Sequence, residues 1–456
     1  MSLSVVKTSE QNPLGYEKIT RLLTKYAVPS IISMLVNSLY NLVDQIFIGQ
    51  GVGYLGNAAT NVSFPLNTIC LSISLLIGVG TATRFSLELG AGNKNNATKT
   101  VGNAFSLMII SGITYFVIIQ LFCKPLLVLF GGTPEVLPYS ETYTRITAFG
   151  MPLMIVITGM SHISRADGTP NFAMICMMTG AVINTVLDPV FIFVFKMGVA
   201  GAALATVISQ VISFIIAINY IRNFKQIKLK KNDFILKLSV IKKIVSFGMS
   251  NSLNQVALTL VQIVLNNSLS YYGAKSIYGS EIPLASSGII IKTNAILLAV
   301  IIGISQGAQP IIGFNYGAKQ FDRVRKTFKT AILCNLVISI LAFSFFQLFP
   351  ETIISFFGDG DPLYFEFATY FLRVFLLMTP VNGIQLISAN FFSAIGKPVK
   401  GIALSLTRQV ILLIPFVIIF SAIWGLKAIP FASPCADFLA FCLTSYMILR
   451  EFKKMK

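Results

Sequence analysis

The sequence predicts an all-α integral membrane protein in which twelve transmembrane helices form two pseudo-symmetric six-helix bundles. Three observations predict it. Only 11% of the 456 residues are charged and 55% are hydrophobic, whereas a soluble domain carries about a quarter charged residues. The mean hydropathy is +0.77, and the apolar residues gather in runs long enough to cross a hydrocarbon core of about 30 Å. Landmarks of the first half of the chain recur in the second at a near-constant offset.

The runs place spans at about 23–49, 60–86, 101–122, 140–163, 170–195 and 199–221, then at about 245–270, 284–313, 330–349, 367–393, 401–423 and 428–449. Pro29, Pro65, Pro152, Pro189, Pro310, Pro380 and Pro415 fall inside them. Membrane helices tolerate such prolines where neighbours re-satisfy the backbone, and bends are expected there. Residues 1–222 form an N-lobe, 223–243 a basic linker and 244–456 a C-lobe.

The net charge of +18 follows the loops. One side receives Lys7, Lys18, Arg21 and Lys25, then Lys94 and Lys99, then the linker with Lys225, Lys228, Lys230, Lys231, Lys237, Lys242 and Lys243. It also receives Lys319, Arg323, Arg325, Lys326 and Lys329, and the tail Arg450, Lys453, Lys454 and Lys456. The other side holds Lys124, Lys196, Lys275 and Lys427 with Glu351, Asp359, Asp361 and Glu366. Positive loops mark the cytoplasm, so both termini are cytoplasmic in a plasma-membrane protein. No basic run interleaved with aromatics points to nucleic acid. The first twenty residues are polar, so no cleavable leader is expected. Cys70, Cys123, Cys176, Cys334, Cys435 and Cys442 are scattered singly and read as packing residues.

The repeat is specific because it is ordered. Gly90-Ala91 and Lys99-Thr100 match Gly317-Ala318 and Lys326-Thr327; Phe130-Gly131 matches Phe357-Gly358; Arg145 and Pro152 match Arg373 and Pro380; Ala166-x-Gly168-x-Pro170 matches Ala394-x-Gly396-x-Pro398. Six spans per repeat bring both halves in from the same side, an arrangement found in transporters that handle substrate between the bundles.

Charged groups inside the hydrocarbon are costly and mark functional candidates. In the first half these are Asp44 and Asp188, each a turn or two inside the outer end of its span. Asn184 precedes Asp188 by four residues and shares its helix face; Thr206 sits at a similar depth. Two carboxylates, an amide and a hydroxyl at one level could hold Na⁺ or a proton. Asp188 maps onto Ile414 or Pro415, so the second half lacks this set; its one intramembrane acid is Asp437. Lys292 and Arg408 lie deep enough to pair with Asp437 or to meet substrate. His162, near Arg165, is expected to be structural. Tyr40, Phe64, Met154, Met177 and Met178 are candidates for an adaptable cavity receiving flat organic cations. No P-loop, HExxH or GxSxG is present, so neither ATP hydrolysis nor another enzymatic reaction is expected. No cofactor is implied, and a monomer is expected.

From about residue 20 to 449 the chain resembles the multidrug and toxic compound extrusion (MATE) transporters, its bacterial multidrug-efflux branch in particular. The segments that carry the resemblance are Leu42-Val43-Asp44 with Gly49, Gly90-Ala91-Gly92-Asn93, Arg165-Ala166-Asp167-Gly168-Thr169-Pro170, Asn184-Thr185-Val186-Leu187-Asp188-Pro189 and Gly198-x-x-Gly201-Ala202-Ala203. Gly313-Phe314-Asn315-Tyr316-Gly317-Ala318-Lys319 and Ala394-Ile395-Gly396-Lys397-Pro398 add the second-half versions. The resemblance implies two lobes forming a V around a central cavity, efflux of cationic drugs and dyes in exchange for H⁺ or Na⁺, and a cation site at Asp44, Asn184, Asp188 and Thr206. It also leaves a lipid-linked precursor flippase and a narrow-specificity metabolite transporter as alternatives.

Overall fold

The computed structural model describes residues 12–356 and 362–455, the side chain of Tyr54 apart. Lys7, Phe357, Gly358, Asp359, Asp361 and Lys456, named above, lie outside the described residues.

Twelve helical spans follow in order. They are α1 (Ile19–Val52), α2 (Tyr54–Gly90), α3 (Lys94–Leu129), α4 (Leu137–Ala148 and Met151–Ala166), α5 (Pro170–Pro189) and α6 (Gly198–Asn219). After the linker come α7 (Leu238–Gly273), α8 (Glu281–Gly317), α9 (Phe321–Leu348), α10 (Pro362–Phe375 and Thr379–Ala394), α11 (Pro398–Leu406 continuing to Ile414–Trp424) and α12 (Ala432–Lys454). Among the described residues, nine unbroken helices are long and apolar enough to span a membrane, and the bent pairs of α4 and α10 raise this to eleven. The twelfth, α7, is 36 residues long but is diluted by Ser250, Asn251, Ser252, Asn254 and Gln255. At 1.5 Å per residue it reaches about 54 Å, ample for a bilayer. It begins at Leu238, so the linker is shorter than the hydropathy profile indicates.

The prolines divide into two classes. Pro152 and Pro380 open the second limbs of α4 and α10, which bend there by 52° and 49°. Pro189 and Pro415 flank wide π turns at Val190–Val194 and Thr407–Leu413. Pro29, Pro65 and Pro310 instead lie within continuous helices. A break missed in the sequence occurs in α3 at Phe122, non-helical at φ −113° and ψ 22°.

Each half packs its own apolar core. Leu66, Phe85, Met108, Ile155 and Cys176 centre the first; Ile290, Phe371, Phe391, Phe392 and Leu404 centre the second. Near the linker the cores interlock: Leu23 and Ala27 of α1 join the second, while Ile311 and Phe314 of α8 join the first. Glycines permit this approach. A Cβ on Gly80 would lie 2.0 Å from the Ile244 carbonyl oxygen; on Gly248, 1.8 Å from that of Leu76; and on Gly307, 2.6 Å from Ala27 N. Small residues at such crossings let membrane helices meet backbone to backbone. Across the same seam, Ser72 Oγ lies 2.7 Å from Ser252 Oγ, and Gln309 Nε2 donates to Thr83 Oγ1 at 3.1 Å.

Candidate functional site

The candidate cation site forms where α1, α5 and α6 converge inside the first bundle. Asp188 is followed by Pro189, which has no N–H to donate to the Thr185 carbonyl. The helix accordingly widens into a π turn over Val190–Val194, a feature common at functional positions. The two flanking helices press onto this turn at glycines. A Cβ on Gly51 would meet Ile192 Cγ2 at 2.0 Å, and one on Gly201 would meet Phe191 at 3.0 Å. Those contacts seat Asp44 of α1 and Thr206 of α6 beside the carboxylate of α5.

Asp188 and Asn184 are fully buried, and Asp44 is 8% exposed. With its amino group toward Asp188, the Asn184 amide donates to Oδ2 at 2.7 Å and its carbonyl accepts from Thr206 Oγ1 at 3.3 Å and Thr206 N at 3.2 Å. We adopt this orientation because it satisfies both ends of the amide; the reverse leaves contacts of 3.3 Å to Asp188 and Thr206. The carboxyls of Asp44 and Asp188 are within hydrogen-bonding reach of each other, and Asp44 Oδ1 has no protein partner. Tyr40 lies near Thr206 and, like Tyr143, is close enough to both acids to feel their charge.

This arrangement has direct chemical consequences. Two carboxylates in contact away from water repel strongly, and a proton or a small cation between them removes the repulsion. The donors are hard oxygens, suited to an alkali cation. The Asn184 amino group supports a charged Asp188, so the pair can release its ion without losing every partner.

The structure therefore brings Asp44, Asn184, Asp188 and Thr206 together, with Tyr40 at their edge. Met154 packs within the first core. Met177 takes an Arg165 N–H on its sulfur at 3.8 Å, and Phe64 is 52% exposed; neither joins the acids. His162 is buried near Arg165. In the second bundle Arg408 pairs with Asp437 at 2.5 Å, and Ser433 Oγ reaches Asp437 Oδ2 at 3.4 Å. Lys292 is exposed and does not share that pair. Tyr143 is a site residue the sequence reading missed. It packs with Ile48 and Ile192 near the acids from the short limb of α4, and no spacing signal announces that approach.

The chain matches the MatE family over residues 29–190 and 251–419, one stretch in each half and together well over half its length. The chain belongs to the MATE family. It is 25% identical over 434 residues to the multidrug export protein MepA of Staphylococcus aureus, covering 93% of this chain and 92% of that protein. It is 24% identical to the FAD transporter of Shewanella oneidensis, with 96% of both covered. The solved structure of the MATE multidrug transporter DinF-BH superposes with a TM-score of 0.87 at 32% identity, covering 94% of this chain and 95% of that one. An outward-facing MATE transporter gives 0.88 at 22% identity, covering 100% and 99%. As in those MATE structures, the fold is two six-helix lobes. MATE proteins are transporters rather than enzymes.

Proposed function

We propose that this MATE protein is a multidrug efflux antiporter that exports amphipathic organic cations in exchange for H⁺ or Na⁺. The observation that carries the reading is the pair of buried carboxyls, Asp44 and Asp188, in contact within one lobe with Asn184 and Thr206 beside them. MepA and DinF-BH, both multidrug transporters by name, support the substrate class.

In this reading the linker side and both termini are cytoplasmic, in the plasma membrane. The two lobes, 1–222 and 244–456 by sequence, are joined by the basic linker, whose last residues already belong to α7. In the same reading the lobes, which meet closely at Gly80, Gly248 and Gly307, open toward the outside. There Asp188 and Asp44 take up the ion. Neutralised, they no longer attract a bound organic cation, and the drug leaves. The ion can drive the lobes to rock only through a differential affinity for the two states, which requires the acids to be wetted differently in each. Tyr40 stands where a drug would approach the acids. Arg408–Asp437 and Lys292 belong to the second lobe, which would supply surface rather than ion coupling.

The test is ethidium efflux from proteoliposomes under separately imposed Na⁺ and H⁺ gradients. Wild type should export ethidium under one gradient, naming the ion, and Asp188→Asn should lose at least tenfold. Unchanged efflux in Asp188→Asn would overturn the coupling site. A second reading, a narrow-specificity metabolite carrier, is favoured by the FAD transporter relative. Transport of FAD without ethidium would select it.

A further inference from the structure

We infer that the linker face of the first lobe is a binding site for one anionic phospholipid, its head on the linker lysines and an acyl chain in a cavity between α5 and α6. The cavity has a volume of about 450 Å³ and is lined by Phe172, Ile215, Ile216 and Tyr220, with Asn219 and Lys225 among its polar members. Apolar walls with polar groups at one end match a lipid rather than a free ion. Ile215 is 62% exposed, so the cavity opens toward the bilayer.

The polar end is firmly built. Phe172 stacks on Tyr220 with ring centroids 4.3 Å apart. The Tyr220 hydroxyl donates to Asp167 Oδ2 at 2.6 Å, and the backbone N–H groups of Lys225 and Gln226 donate to the same carboxylate at 2.7 and 2.9 Å. Asp167 is thus fully engaged, and it anchors the start of the linker over the cavity mouth.

Charge and exposure choose the occupant. Residues 222–243 contain seven lysines and one arginine against a single acid. That acid, Asp233, is buried and accepts from Lys230 N at 2.8 Å. Lys225, Lys228, Lys230 and Lys231 are all exposed. Beside them Ile235 and Leu238 are 60% and 67% exposed, although neighbouring segments are bolted down: Asn103 Nδ2 donates to Asp233 O at 3.0 Å, and Lys237 N donates to Asn103 Oδ1 at 2.6 Å. A rigid strap showing cations and large apolar side chains together suits the headgroup boundary of an anionic leaflet.

Native mass spectrometry of the purified full-length protein tests this with dioleoylphosphatidylglycerol and dioleoylphosphatidylcholine, which share acyl chains. Wild type should retain phosphatidylglycerol about tenfold over phosphatidylcholine, between the gain of about fivefold from one lysine at the headgroup and about twenty-five-fold from two. The variant Lys225→Gln/Lys228→Gln/Lys230→Gln/Lys231→Gln should fall to the phosphatidylcholine level, and Ile216→Trp, which fills the cavity, should lower retention of both. Equal retention of the two lipids by wild type, or an unchanged preference in the quadruple variant, overturns the inference. Displacement of the lipid by millimolar inorganic phosphate would also overturn it, by assigning the site to a free anion. Should Ile216→Trp fail to fold, the quadruple variant, altered only at exposed positions, still decides.

Discussion

At the scale of single residues, the two lobes treat buried charge in opposite ways. In the first, two acids share a site to which no basic side chain pairs among the described residues; in the second, Arg408 neutralises Asp437 at 2.5 Å. A pair of like charges is suited to taking up a cation, whereas an ion pair is suited to holding helices together. The two therefore respond differently to substitution. Asp44→Asn and Asp188→Asn should each abolish coupled efflux, and the double variant should be no worse than either, because both carboxyls serve one ion; additive losses in the proteoliposome assay would argue for separate sites. For the second lobe, Arg408→Ala strands a carboxylate that is 3% exposed, a change that costs about 3–5 kcal/mol in buried pairs. Replacing both partners, Arg408→Met with Asp437→Leu, should recover most of that loss. Thermal unfolding in detergent reads both, and equal destabilisation by the single and double changes would contradict the assignment.

At the scale of helices, glycine placement sets how closely the lobes meet. Gly80 and Gly307 are related by the 227-residue repeat offset, and each abuts the first helix of the opposite lobe: α2 against α7, and α8 against α1. A side chain at Gly80 has no room beside the Ile244 carbonyl at 2.0 Å, so Gly80→Leu should push the seam open on the linker side. Spin labels on Lys94→Cys and Lys319→Cys, in a background lacking the native cysteines, should report a longer distance by electron–electron resonance than in the same background with Gly80 intact. An unchanged distance would show that the seam does not depend on this crossing. The helices themselves were legible, since hydropathy locates the spans and the repeat orders them. Asp44 and Asp188 were legible as a pair because counting inward from the span ends puts them at one depth. The entry of Tyr143 depends on the 52° bend of α4, and the start of α7 at Leu238 depends on packing against α2. Both are consequences of tertiary contact, which no local pattern records. Which of Lys292 and Arg408 pairs with Asp437 was not legible, because depth along a helix says nothing of which side a residue faces.

At the scale of the whole molecule, the proposed mechanism has duplication followed by divergence leave one lobe to sense the ion and both to move. The seam joins them on the linker side through Ser72–Ser252 and Gln309–Thr83, and through the buried Arg84, whose Nη1 donates to Val240 O at 3.1 Å. In the proposed mechanism the ion acts at a distance: Asp188 sits beside the π turn of α5, and α1, which carries Asp44, also supplies Ala27 and Leu23 to the second lobe's core. A change at the acids that shifts α1 reaches the seam through a single continuous helix. This predicts that the ion sustaining efflux will alter the Lys94→Cys/Lys319→Cys label distance distribution, that Asp44→Asn/Asp188→Asn will abolish this response, and that Arg408→Met/Asp437→Leu will preserve it. A response that survives loss of the acid pair would place ion sensing outside the first lobe. A response lost in the Arg408→Met/Asp437→Leu variant would make the second lobe's ion pair a partner in coupling rather than a structural tie.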